Sequence, residues 1–183
     1  MCIFILVTLP AGADIAMLEP IFHSHQGYLG PATNAHLQRQ LPANERLFHT
    51  TTGHCDCDSG LRDTRPHRAI SEEMQKKRNQ FRRKGWSKSK IARALAESER
   101  AMIRANETHR ETNIHDIERW YGLLTDALNS AATSHIGILL HMYETSTDVE
   151  EFTILRTETL QLSHIPADQL GPFTEDVLYI ITP

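Results

Sequence analysis

The first apolar segment of the chain, Cys2-Ile3-Phe4-Ile5-Leu6-Val7-Thr8, contains no polar alternation and is closed by Pro10. A short continuous run of this kind predicts a strand buried on both faces. Gly12 to Asp14 then offers helix-start chemistry. Ile15, Leu18, Phe22 and His25 follow at helical spacing with Pro20 among them, so a short, kinked helix is expected. Gly27, Gly30 and Pro31 break the pattern, and the stretch to Ala43 reads as loop or one further helical turn. Glu45 to Thr52, ended by Gly53, predicts a second strand.

From about Pro66 the period lengthens. Ile70, Met74 and Phe81 form one narrow apolar stripe, Gly85 suits a left-handed helix end, and Ser87 suits the start of the next helix. That next helix carries Ile91, Leu95, Met102 and Ile103. Two helices over 67–84 and 87–110 are therefore predicted as a hairpin. After Asn113 a third helix is expected, with Ile114, Ile117, Tyr121, Leu124 and Leu128 on one face and Trp120 and Leu123 broadening it. His135 to Tyr143 predicts another central strand, Thr153 to Leu162 alternates like an edge strand, and Val177 to Thr182 closes the chain as a strand. This order predicts one α+β domain over 1–183. It would consist of one mixed sheet of about five strands with a three-helix insert packed on one face.

Composition agrees with a folded protein: 183 residues, 40% of them apolar, suffice for one core. The longest apolar run falls well short of a bilayer span, which takes about 20 residues. No basic residue precedes it and Asp14 and Glu19 follow soon after, so it does not read as a secretion signal, and a cytoplasmic location with reduced thiols is expected. Charge changes the picture more. The net charge is −4, yet residues 62–110 hold 15 Lys and Arg against 6 Asp and Glu, a local +9 within a remainder of −13. Like charges gathered on one helical element repel unless something of opposite sign faces them.

The densest candidate chemistry is Gly53-His54-Cys55-Asp56-Cys57-Asp58-Ser59-Gly60. Thiolate and imidazole suit zinc, so His54, Cys55 and Cys57 are candidate ligands, with Cys2 or a distant histidine as a fourth. A second ligand pair of the usual zinc spacing is missing, and a glycine-bounded turn with packed cysteines is the competing reading. The 11 histidines are scattered, although His135 and His141 share strand parity and hence a face. Residues 87–98 resemble the first part of a helix-turn-helix, with Ile91-Ala92 and Leu95 in the packing positions. The resemblance ends at Ala96-Glu97, where helix formers stand in place of the turn glycine.

Phosphate-binding loops, dinucleotide fingerprints, nucleophile elbows and H-E-x-x-H are all missing. The sequence therefore reads as a non-catalytic interaction protein with no required cofactor, zinc being the one metal its donors suit. An immunity-type protein of bacterial kind that occludes a toxin would have these features. Its partner surface would be Lys76, Lys77, Arg78, Arg82, Arg83, Lys84, Lys88 and Lys90, and the partner a protein rather than nucleic acid or membrane. Two alternatives stand beside it: a metal- or thiol-dependent protein built on Cys55 and Cys57, and a nucleic-acid binder using the hairpin.

Overall fold

The computed structural model describes residues 1–62 and 70–183, with backbone alone for 70–72 and 105–111. The chain forms two compact units: Met1–Asp63 with Ile114–Pro183, and Thr64–Asn113.

The first unit is built on one mixed sheet of six strands, so the fold is α+β. In chain order the strands are β1 (Cys2–Pro10), β2 (Gly30–Pro31), β3 (Glu45–His49), β4 (Ile136–Tyr143), β5 (Arg156–Gln161) and β6 (Val177–Thr182). They lie side by side as β2-β3-β1-β4-β6-β5, every pair antiparallel except β5 with β6. The two runs read as central strands, β1 and β4, are neighbours at the middle, and β5 is an edge as its alternation predicts. The strand beyond the expected five is β2. Its Pro31 cannot donate to a ladder and so belongs on an edge.

Side-chain parity divides the core between the two faces of the sheet. Ile5, Val7 and Leu9 from β1, Ile136, Ile138 and Leu140 from β4, and Val177, Tyr179 and Ile181 from β6 meet helix α1 (Ile15–Ser24) and the end of helix α4 (Lys88–Asn129). From α1 come Leu18 and Phe22, and from α4 come Trp120, Leu123, Leu124, Ala127 and Leu128, all buried. The stripe is therefore centred on Trp120 and Leu124. Ile117 and Tyr121 are only partly buried, and Ile114 is 41% exposed, one turn too early to reach the sheet. Gly122 sits inside α4 because a Cβ there would meet the His25 ring at 2.9 Å, and that ring pairs with Asp126 one turn on, at 2.8 Å.

The opposite face buries Leu6, Leu47, Leu139, Tyr143 and Leu178. Its cover is one turn of helix, α2 (Ala35–Gln38), with the residues just after it, and the irregular 144–155 segment, which contribute Leu37, Leu41, Phe152 and Ile154. Polar pins hold this thinner cover down. Asn34 Nδ2 donates to the carbonyls of Thr147 and Glu150, and Gln40 bonds both Phe152 O and Ile154 N. His141 stacks on Phe152 at 3.5 Å and sits between Asp176 (2.6 Å) and Glu150 (3.3 Å). Glu150 also accepts from the backbone N–H groups of Glu144 and Thr145. The N–H of Thr145 is foremost in holding this carboxyl at about 2, below its ordinary 4.5. His135 lies just before β4 and pairs with buried Glu45 at 2.7 Å, so the two histidines serve separate ion pairs.

The second unit holds helix α3 (Ile70–Arg83) and the first part of α4. The break expected at Gly85 and Trp86 is present: Gly85 has φ +71, its N–H donates to Arg82 O, and Trp86 N–H donates to Phe81 O. Ser87 then accepts from Lys90 N–H through its hydroxyl and from Ile91 N–H through its carbonyl. Residues 67–69 of the expected first helix lie outside the described residues. No third helix follows, because α4 runs without interruption through Ala96-Glu97 and Asn113. The expected insert of three helices is thus two. Thr, Asn and His lower helix propensity by only tenths of a kcal/mol, and neither glycine nor proline, the strongest helix breakers, occurs between Gly85 and Gly122. The partial likeness to a helix-turn-helix accordingly lacks its turn. No described helix is long and apolar enough to cross a membrane.

Replacing fully buried Leu124 with Ala should cost about 2–5 kcal/mol in denaturant unfolding, the range for a leucine whose site cannot collapse. Because the Glu150 carboxyl titrates lower in the folded chain than in the unfolded one, its stabilisation is complete above about pH 4.5 and is lost as pH falls toward about 2. Glu150→Gln should therefore give a shallower loss of stability than the parent protein across that window, as measured by urea melts at a series of pH values.

Candidate functional site

The geometry of the cysteine loop follows from the unequal lengths of the strands beside β1. β4 pairs with Cys2–Thr8, but β3 pairs only with Leu6–Pro10. One edge of β1 is thus open from Cys2 to Ile5, and buried backbone groups there need partners. The chain after β3 supplies them. Thr50 Oγ1 donates to Ile5 O at 2.8 Å. A turn with Gly53 at φ +74 follows. Asp56 N–H donates to Ile3 O at 2.8 Å, Ile5 N–H donates to Asp56 Oδ2 at 2.8 Å, and Ile3 N–H donates to Cys57 Sγ at 3.3 Å. The far end of the loop is tied to α4: Ser59 Oγ and Gly60 N–H both donate to Asp116 Oδ2, whose other oxygen is held by Arg119.

This seat places Cys55 and Cys57 beside Cys2 at the start of β1, and the three sulfurs lie within 4.8 Å of one another. All three are free thiols. The Cys57 backbone N–H bonds to the Cys55 sulfur and is the main reason the Cys55 thiol titrates below its ordinary value, with the Cys57 side chain assisting. Burial pushes Cys57 upward, partly countered by the N–H of Ile3. Asp56 is raised to about 6, chiefly by burial; the Ile5 N–H and Arg119 lower it, and Asp116 adds to the rise. The cluster thus contains one thiol lowered and one raised from the ordinary value, each with a backbone donor among the causes.

Of the expected ligands, Cys55 and Cys57 converge, and Cys2 is the third sulfur. His54 stands outside that cluster, its Nδ1 3.0 Å from Thr52 O, and lines an open cleft of about 470 Å³ with His23, Tyr28 and Thr50. The anchoring roles of Asp56 and Asp116 are new. Asp56 had a signal in the sequence: in an extended Cys-Asp-Cys the two cysteines point one way and the aspartate the other. Asp116 had none, since its place depends on how α4 meets the loop.

In the second unit Lys76, Arg78, Arg82, Arg83, Lys84, Lys88 and Lys90 are exposed and Lys77 is half-buried. Phe81 and Trp86 stack at 4.5 Å and 2° across the turn, and the Lys90 ammonium lies 4.2 Å from the Trp86 ring centre. Ile91 and Leu95 are buried, while Met74, Ala94, Ser98 and Met102 are half-buried, so each helix keeps one stripe from solvent. No protein-family model matches this chain, and neither a curated protein nor a solved structure matches it.

Proposed function

We propose that the protein binds a thiophilic metal ion, zinc in the simplest case, through the thiolates of Cys2, Cys55 and Cys57. The observation that carries this reading is the approach of three sulfurs, from segments far apart in sequence, to within 4.8 Å. Zinc with Zn–S bonds of about 2.3 Å spaces tetrahedral sulfurs about 3.8 Å apart, so a small adjustment of side chains suffices. Three thiolates suit a soft or borderline cation better than calcium or magnesium. The backbone donor on Cys55 favours the charged sulfur that a metal needs, while at Cys57 the Ile3 N–H only partly offsets the burial that raises the thiol. Three protein ligands leave a fourth position for water, for an incoming donor or for a swing of nearby His54, the pattern of zinc sites that keep an open position.

Binding would tie the start of β1 to the loop and add its free energy to folding. The purified protein is expected to carry about one zinc per chain, and excess chelator should lower its melting temperature. Ion at about 1,000 times its Kd would stabilise by about 4 kcal/mol. Cys2→Ser, Cys55→Ser and Cys57→Ser should each release the metal, whereas His54→Ala should retain it. Protein that takes up no zinc, with melting indifferent to zinc and chelator, would overturn the reading.

A second reading, an interaction protein that engages an acidic partner, draws on the hairpin, and an occluding immunity-type protein is one form of it. Residues 76–93 contain nine Lys and Arg and no Asp or Glu, and within that unit none of the nine pairs with a described carboxylate. A face whose cations pair with no described carboxylate of that unit has little stability to lose through them. Reversing Lys76, Lys77 and Arg78 to Glu should change the unfolding free energy by less than about 0.5 kcal/mol, as measured by chemical denaturation.

A further inference from the structure

We infer that the turn region of the hairpin, residues 76–93, binds the phosphate backbone of double-stranded nucleic acid. This rests on reading that face as a partner surface and goes further by naming the partner's chemistry. Nine cations in this stretch, with no carboxylate among them, form a single-sign array on both sides of the Gly85 turn. All of them but half-buried Lys77 are exposed. Such an array releases counterions from a polyphosphate on contact, and that release supplies sequence-independent affinity without any further recognition.

Two features of the same stretch separate duplex from the other polyanions. A protein partner is held by a desolvated apolar centre with aromatic or aliphatic anchors. Here Phe81 and Trp86 are half-buried and Ile91 is buried, so the exposed side chains beside the cations are Asn79, Gln80, Ser87, Ser89 and Ala92. These amides and hydroxyls are groups that bond phosphate and sugar oxygens. Single strands are held by aromatic rings open to unpaired bases. The two rings present stack on each other, with Lys90 beside Trp86. What remains on offer is charge and hydrogen bonding, which a duplex backbone satisfies.

The test uses the full-length protein with three probes: a duplex of random sequence of about 20 base pairs, one of its single strands, and polyglutamate. The expected result is binding to duplex that weakens about 10³-fold or more between about 50 and 200 mM salt, as six or more phosphate contacts require. The Lys76→Glu, Lys77→Glu, Arg78→Glu protein should bind duplex at least about tenfold more weakly, with a salt slope lower by about 2.7. If this variant melts at a lower temperature than the parent, Gln at the same three positions carries the comparison.

Tighter binding to the single strand than to the duplex would overturn the duplex assignment. Salt-dependent binding to polyglutamate without binding to duplex would overturn it too, and would leave the interaction reading standing with a protein as partner. Absence of binding to all three probes at about 50 mM salt, or a variant as strong as the parent, would overturn both.

Discussion

The open edge of β1 is the constraint on which the arrangement of the first unit depends. A central strand in a dry sheet cannot leave its N–H and C=O groups unpaired without a cost of about 1–3 kcal/mol each. β3 stops at His49, opposite Leu6, before it can serve Ile3 and Ile5. The loop after β3 must therefore return along the same edge, and its hydrogen bonds to Ile3 and Ile5 set the positions of Cys55 and Cys57. Bonds that complete the sheet thus also gather the sulfurs. The same seat half-buries Asp56, and loss of solvent raises its pKa against the lowering effect of the Ile5 N–H that the carboxyl accepts.

The two faces of the sheet are closed by different physics. On one face, two helices bring large side chains such as Phe22, Trp120 and Leu124 onto the strands, and apolar area dominates. On the other face, a single helical turn and an irregular segment present little apolar area, and their backbone must be satisfied without secondary structure. Asn34, Gln40 and Glu150 do this by bonding main-chain atoms directly. His141 joins them, paired to carboxylates on both ring nitrogens while its ring stacks on Phe152. Cover of this kind includes a carboxylate, Glu150, as its main-chain acceptor.

The hairpin contrasts with both. Its helices each hide a narrow stripe, and what they display is charge. Lys77 lies on the α3 stripe between Met74 and Phe81 and is half-buried as they are. Segregation of charge along the chain therefore has a local structural meaning: the cations are collected on the part of the chain that contributes least to the core of the sheet.

Hydrophobic periodicity and helix-end residues determined a good deal: the two central strands, the edge character of β5, the core-facing end of α4 and, through Gly85 and Ser87, the helix break. These depend on local preferences and on side-chain parity, which any window of ten residues carries. The cysteine pair was also legible as donor chemistry, because residue type is enough to nominate a thiolate. Tertiary structure decided what pairs with what. Cys2 became the third sulfur because β3 is short, His54 faces Thr52 O across the Gly53 turn, and Ile114 was left exposed because only the last turns of α4 reach the sheet. The continuity of α4 through Asn113 was likewise beyond a reading of weak helix formers, since their small unfavourable propensities yield to an uninterrupted ladder of backbone bonds on either side. Strand register and the approach of residues distant in sequence are set by the whole sheet, and no segment contains them by itself.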